Sequence, residues 1–444
     1  MERPRILKFG GTSVADAAAF ERVAAIVRDR GGPRPVVVVS ALAGVTDALL
    51  SGARQELDAH LDRHDAVARR LLPPPAAARF REELERARHD IAALLDRLDG
   101  PTDAPAALRD ELASYGERLA APLLAATLEA AGLATRYVDT RCCIVTDETH
   151  GRATPLLSET ERSTRSQLLP LLDEGLVAVL GGYIAATRRG KATTLGRGGS
   201  DYTAALVGAA LGADEIQIWT DVSGVLTADP RVVPAARPIP RLSYREAAEL
   251  AYFGAKVLHP KTIQPATDRG IPVRICNSRA PQDPGTLVAA EVDVRPGAVK
   301  AIAHKTGITV VQVASTRMLG AYGFLRALFE VFDRHRTIVD VVTTSEVSVS
   351  LTLDDTTSLP AMTSELQALG EVSVEPHRAI VCVVGEGLRS TPGVAARIFA
   401  TVQDINVSLI SQGASRVNLT FVVEEARVRE AVRRLHDAFF QGAP

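Results

Sequence analysis

The chain has no charge excess of either sign: 51 lysines and arginines against 53 aspartates and glutamates leave a formal net charge of -2. Nucleic acids and membrane surfaces usually select a clear basic excess, so neither is expected as the principal partner and small molecules become the default. Long apolar runs are missing too. The longest, PVVVVSALAGV and GLVAVLGGYIAA, fall well short of the ~20 residues that a bilayer-spanning helix needs and read as buried strands. The opening MERPRILKF enters a strand almost at once and leaves no room for the apolar core of a signal peptide. Cysteine is scarce. Cys142, Cys143, Cys276 and Cys382 lie in or beside apolar segments with no metal-type spacing, and are expected as reduced thiols in a cytoplasmic protein.

What is present is an ordinary globular mix, 46% hydrophobic and 23% charged. At about 100–200 residues per domain, the 444 residues predict roughly two to four domains. RILKF, the helix DAAAFERVAAIVRDR and PVVVVS follow one another in the βαβ order of a parallel sheet covered on both faces. Ala, Arg, Glu and Leu then recur at helical spacing, broken at LLPPP and DGPTDAP, which predicts a helical excursion over about 51–119. GLVAVLGGYI, EIQIWTDVSGV, the helix YREAAELAYFGA and the strand IPVRICN return to the sheet. The stretch SRAPQDPGTLVAAEVDVRPGA holds prolines and glycines without a sustained period; it places a linker at 286–300, after a first domain of 1–285. GITVVQVAS, GFLRALFEVFDRHR, TIVDVVTTS and VSVSLTLD then spell βαββ. AIVCVVGEG, TPGVAARIFATVQD, INVSLISQG and RVNLTFVVEE repeat that order about 70–80 residues later, before a closing helix ARVREAVRRLHDAF. Two α+β modules are predicted, about 301–375 and 376–444, in tandem or intertwined.

In KFGGTS the lysine precedes the glycines, the reverse of a nucleotide P-loop. At the carboxyl end of the first strand, Lys8 would point into the crevice where open α/β sheets bind ligands, while Gly10 and Gly11 let the backbone approach a phosphate. A strand-edge lysine reaching solvent is the plainer alternative. TTLGRGGSDYTAALVGAAL runs into an apolar helix with Ser200 and Asp201 expected as its caps; free amides at such a start form an anion site, and Arg197 adds a planar fork for a carboxylate. An ordinary capped turn is the alternative here. IWTDVSGVLTADPR could hold a nucleotide's ribose and phosphates, or be a polar loop with an Asp-Pro turn. FGAKVLHP supplies Lys256, which dipole complementarity at a helix end would also place there. Together these point to phosphoryl transfer, which needs positive charge and alignment and little covalent help from the protein. An acceptor carboxylate, already ionised at pH 7, needs no general base, which fits the absence of an evident catalytic histidine or cysteine.

The ordered motifs KFGGTSVAD, SALAGVTD, SYGER, TTLGRGGSDYTA, WTDVSGV, DPR, FGAKVLHP and TTSEVSVSLTLD resemble those of aspartokinases, and of their single-activity, lysine-sensitive branch, over essentially the whole chain. The resemblance implies an α/β fold, an amino-acid-kinase-type three-layer sandwich with a mainly parallel central sheet, followed by two α+β ACT modules. It implies ATP-dependent phosphorylation of the β-carboxylate of L-aspartate to 4-phospho-L-aspartate, the first step toward lysine, threonine and methionine. By resemblance, Lys8 stabilises the transferring phosphoryl group and Asp201 orients the cationic groups. Lys8, Gly10, Gly11, Thr220, Asp221, Arg231 and Lys256 fall on ATP-binding positions. Thr46, Glu117, Arg197 and Ser200 would hold aspartate, Arg197 clamping a carboxylate and Glu117 meeting the α-ammonium. Magnesium would travel mainly on the nucleotide phosphates, with no metal site in the protein.

In the first module Met318, Gly323, Asp340, Ser345 and Glu346 match effector-binding positions, lysine is the implied effector, and modules of two subunits are expected to pair into a homo-oligomer. Judged without the family, Glu117 is a helix-face acid and Thr46 a helix cap. Tyr183 stands where the family usually has phenylalanine, Leu226 where it has tyrosine, and Ala321 and Ile338 where small hydroxylated residues are expected. The rivals are a kinase of another acceptor, glutamate or a carbamate, and a catalytically silent amino-acid sensor.

Overall fold

The apolar runs that read as strands pair into an eight-stranded sheet in the computed structural model, which describes residues 2–100, 105–254, 258–290, 298–320 and 322–441. In spatial order the strands are Thr135–Tyr137, Val177–Gly181, Pro35–Val39, Arg5–Phe9, Glu215–Thr220, Val273–Asn277, Thr286–Ala289 and Arg241–Ser243. All neighbours are parallel except Val273–Asn277 with Thr286–Ala289. Side-chain alternation sorts the two faces. Leu7, Phe9, Val37, Val39, Val177 and Val179 join one apolar cluster with the helices Ala17–Arg30 and Pro105–Ala130. Lys8, between Leu7 and Phe9, therefore projects to the opposite face, which the helix Gly199–Leu211 covers. That helix sits close because Gly208 carries no side chain: a methyl there would lie 2.6 Å from Ile216 Cδ1.

The predicted helical excursion comprises Val45–Ser51, Arg54–Leu71, Pro74–Asp99 and Pro105–Ala130, the last running eleven residues past the expected Leu119. GLVAVLGGYI, read as one strand, is two. Val177–Gly181 stays in the main sheet, and Ile184–Thr187 joins a three-stranded sheet with Val145–Thr146 and Ala192–Thr194. The turn between them holds Tyr183 at φ +64, a left-handed conformation that is unusual for a bulky residue.

Contacts divide the chain into two units, the first Met1–Val225, Pro240–Tyr244 and Val257–Glu291, the second Leu226–Ile239, Arg245–Lys256 and Val292–Pro444. This corrects the boundary at 285 and the linker at 286–300. Thr286–Ala289 is a strand of the main sheet, pinned by alternating buried Thr286 and Val288, whereas Ala228, Val232 and Val233 pack into the core of the second unit.

The second unit is built on a six-stranded antiparallel sheet in the order Val342–Thr344, Ser348–Leu353, Ala301–Ala314, Glu371–Val384, Asn418–Glu424, Val407–Gln412. Its two central strands serve two cores. Val311, Val313 and Val372 pack with the helices Phe324–Arg334 and Leu359–Leu369. Ile302, Ala379, Val381 and Val383 pack instead with Val394–Thr401 and Glu425–Phe440. The modules are thus interleaved, and a cut at 375/376 falls inside the strand Glu371–Val384. The helix Leu359–Leu369 is an addition to the βαββ reading, and TIVDVVTTS forms a strand only over Val342–Thr344. No helix among the described residues is long and apolar enough to cross a membrane.

Candidate active site

At the carboxyl ends of the parallel strands of the first unit lies a cavity of about 630 Å³, within the range of small-molecule sites. Lys8, Gly11, Thr46, Glu117, Arg197, Ser200 and Asp201 all line it. Residues more than 190 positions apart in sequence are brought together here by the sheet.

Lys8 Nζ lies 2.6 Å from Asp201 Oδ1, and both side chains are mostly shielded. A shielded pair gains little net stability, because desolvation offsets the attraction, but it fixes where the ammonium points. Asp201 does not cap its helix, and neither does Ser200. The N-cap of Gly199–Leu211 is Gly198, at φ +74 without a side-chain bond, which puts Ser200 and Asp201 in the first turn. Thr46 is corrected in the same way: Gly44, at φ +82, is the N-cap of Val45–Ser51, and Thr46 stands inside the first turn facing the cavity. At both starts a left-handed glycine takes the N-cap position without a side-chain bond, and helix starts in general favour anions.

The crowding around Glu117 explains the glycines near it. A methyl on Gly116 would sit 2.7 Å from Ala41 Cβ, one on Gly181 2.9 Å from Glu117 Cβ, and one on Gly182 2.5 Å from Ser200 Cβ. Glu117 Oε1 accepts from Ala41 N–H at 3.1 Å. Its Oε2 is buried and has no hydrogen-bond partner among the described residues. Burial pushes this carboxyl up to about 8, against a smaller downward pull from the Ala41 amide and the Lys8 charge. An orphaned acceptor in a cavity wall asks for a donor from a ligand. Ser40 Oγ donates to Ser200 Oγ at 3.0 Å; Arg197 is exposed and makes no hydrogen bond or ion pair among the described residues.

The neighbouring strand ends are clamped where Gly10 turns. Gly10 N–H donates to Trp219 O at 3.2 Å, Ser13 and Ser278 hydroxyls meet at 2.8 Å, and Ser278 donates to Thr220 O at 3.0 Å. Lys8 Nζ lies 3.6 Å from where a Gly10 methyl would be. Thr220 donates to Asp221 at 3.2 Å, beyond the cavity lining. Arg231 belongs to the second unit, where it is exposed and paired with Asp229 at 2.7 Å. Lys256 and Ala321 lie outside the described residues. Among the described residues no group of three His, Cys, Asp or Glu side chains could hold a metal ion.

Of the expected effector positions, Met318 packs partly against the first-module core, and Gly323, at φ +81, starts the helix Phe324–Arg334. Ser345 hydrogen-bonds the Ser348 hydroxyl at 2.8 Å, and Glu346 is exposed. Asp340 is already engaged: Lys305 Nζ stands 2.9 Å away and the Tyr252 hydroxyl donates to it.

Sequence reasoning passed over Ser40, Ala41 and Asp47, which line the cavity. SALAGVTD carried the signal, but nothing in it separates a side chain that faces a ligand from one that faces the core.

The amino acid kinase family model matches residues 3–277 and an ACT domain model matches residues 381–439. Lysine-sensitive aspartokinase 3 of Escherichia coli (strain K12) is 40% identical over 98% of this chain and 99% of its own. Two crystal structures of E. coli aspartokinase III match at 40% identity over 98% of this chain. One, in complex with aspartate and ADP (R-state), has a TM-score of 0.84 over 100% of its length. The other, with lysine and aspartate (T-state), has a TM-score of 0.82 over 99%.

Proposed function

The chain belongs to the aspartokinase family, and from that membership we infer that the cavity holds L-aspartate beside the terminal phosphate of ATP and joins them. The reaction is ATP-dependent phosphorylation of the β-carboxylate of L-aspartate, giving 4-phospho-L-aspartate and ADP. A β-carboxylate oxygen forms a bond to the γ-phosphorus as the bond to the β–γ bridging oxygen breaks, and that electron pair leaves with ADP. No proton moves, so no general base is required.

One observation carries the assignment of roles: Glu117, whose buried Oε2 has no hydrogen-bond partner among the described residues, lines the same cavity as Lys8 and Arg197. A dicarboxylic acid with an ammonium satisfies these groups together. The ammonium meets Glu117, Arg197 takes the α-carboxylate as a fork, and Thr46 with Ser200 completes the pocket. The β-carboxylate is then left facing Lys8, whose charge offsets that developing on the phosphoryl oxygens, while Asp201 keeps the ammonium aimed. Gly10 and Gly11 line the phosphate path, with Thr220 and Asp221 of the same unit as further nucleotide contacts. A magnesium ion would take its oxygens mainly from the phosphates and water, as that ion usually does.

The regulatory reading is feedback by an amino acid, lysine in the first instance, acting through Met318, Gly323, Asp340, Ser345 and Glu346. It is supported by the lysine complex of the E. coli relative. An effector must bind two conformations unequally to shift anything. Exposed Leu325, Phe329, Ile338 and Val342 in the first module support pairing with a second copy. A cytoplasmic location is part of the same reading.

The test is ADP release coupled to hydroxylamine capture of the acyl phosphate. Aspartate should give hydroxamate in step with ADP and glutamate should give neither. Hydroxamate from glutamate alone, or tight lysine binding without any turnover, would replace this reading.

A further inference from the structure

The helix Pro105–Ala130 buries two carboxylates seven residues apart, Asp110 and Glu117. That spacing is close to two turns, so both lie on one face. Glu117 lines the cavity and Asp110 does not. The oxygens of Asp110 are occupied by two other segments. Thr194 Oγ1 donates to Oδ1 at 2.6 Å, Gly151 N–H reaches Oδ1 at 3.1 Å and Oδ2 at 3.0 Å, and His150 Nδ1 lies 2.8 Å from Oδ2.

These segments meet beside the proposed carboxylate clamp. Thr194 ends the strand Ala192–Thr194, three positions before Arg197, and its carbonyl accepts from Ala153 N–H at 2.9 Å. Gly151 lines the cavity. Gly196, at φ +75, lies so close to the same loop that a methyl there would be 2.8 Å from Arg152 Cγ and 3.4 Å from Gly151 O. Asp147 closes the loop internally, accepting from Thr149 N–H at 3.1 Å and Thr154 N–H at 2.9 Å. The Arg197 guanidinium has no partner of its own among the described residues. Its place is therefore set by its backbone, and that backbone rests on a loop and a strand end tied together by one buried carboxylate.

We propose that Asp110 is the positioning residue for the Arg197 guanidinium, holding the 147–154 loop and the Thr194–Gly196 turn in the register that points the fork at the α-carboxylate of aspartate. The proposal rests on the reading of Arg197 as that clamp. One rigid helix thereby sets both ends of the substrate's amino-acid group, Glu117 directly and Arg197 through Asp110.

The test compares steady-state kinetics of the full-length wild type, Asp110→Asn, Arg197→Gln and the double variant. Each is assayed with L-aspartate and with its α-amide, which offers no α-carboxylate. Asp110→Asn should raise KM for aspartate about tenfold, a change equivalent to about 1.4 kcal/mol. Its kcat and KM for ATP should stay within about twofold, its effect on the α-amide should be small, and the double variant should match Arg197→Gln alone. If Asp110→Asn does not fold, as read by thermal unfolding, Thr194→Val removes one of the bonds to Asp110 and should show a smaller shift of the same kind. An equal penalty on aspartate and its α-amide, or full additivity in the double variant, overturns the positioning role. Should Arg197→Gln itself fail to separate aspartate from the α-amide, the clamp reading falls instead.

Discussion

Glu117 should make aspartate binding strongly pH-dependent in a range where free carboxylates are fully ionised. Its carboxyl titrates at about 8 because burial disfavours the charged form, and the one cation pulling against burial, Lys8, is already paired with Asp201. The other ionisable groups around the cavity, Arg197, Asp47 and Tyr183, include no second cation in contact with it. An ammonium ligand needs the ionised form. With a midpoint of about 8, the ionised fraction is about 1% at pH 6, about 9% at pH 7 and half at pH 8. The apparent KM for aspartate scales as the inverse of that fraction, so it should fall about tenfold from pH 6 to 7, about fivefold from 7 to 8, and then level off. The assay is initial velocity by ADP release at saturating ATP from pH 6 to 9. Glu117→Gln, which cannot ionise, should give weaker binding with no slope over this range. Stability of the ligand-free protein should show the mirror image. A carboxyl raised on folding contributes stability when protonated, fully present below its unfolded value of 4.5 and lost as pH rises through about 8. Equal KM values for aspartate at pH 6 and pH 8, or an unchanged slope in Glu117→Gln, would refute the reasoning.

Lys8→Met should lower kcat by about a hundred- to a thousandfold, since it removes the charge proposed to face the transferring phosphate, and rapid-quench measurement of the chemical step would locate the loss there. Gly182→Ala should destabilise the fold by about 1–3 kcal/mol and raise KM for aspartate, because the new methyl would meet Ser200 Cβ at 2.5 Å; thermal unfolding and kinetics read the two effects separately. Lys305→Met should destabilise by about 3–5 kcal/mol by leaving the buried Asp340 carboxylate with no cation, and Asp340→Asn in the same chain should recover part of the lost melting temperature. Of the four cysteines, only Cys142 is exposed, so an aromatic disulfide reagent should label one thiol per native chain and all four after denaturation.

The strand and helix order of the first unit was legible because fully buried parallel strands leave unbroken apolar runs such as PVVVV, and because Asp16, which caps Ala17–Arg30, marks its helix by a side-chain bond. Helix starts made by Gly198 and Gly44 escaped for the opposite reason. A left-handed glycine caps without a side chain, while the serine, aspartate and threonine just beyond it imitate caps. The break at Tyr183 was hidden because a bulky residue at positive φ has no sequence mark. Lys8 could be placed by alternation alone. Glu117 could not: the helix Pro105–Ala130 is buried nearly all round, so no polar stripe sets its buried acids apart from the rest, and Asp110 shares that concealment. The interleaving of the carboxyl-terminal modules was open in the sequence because a period-2 pattern reads the same whichever core each half of a strand enters.

The two long central strands of the second unit, Ala301–Ala314 and Glu371–Val384, give its modules a joint backbone with no seam. Neither half can be transplanted as a cassette. A chimera spliced between them would remove the neighbour along which each strand is zipped and leave a raw edge open to pairing with other chains. Any reshuffling of this regulator, by recombination or at the bench, has to carry both ribbons across together.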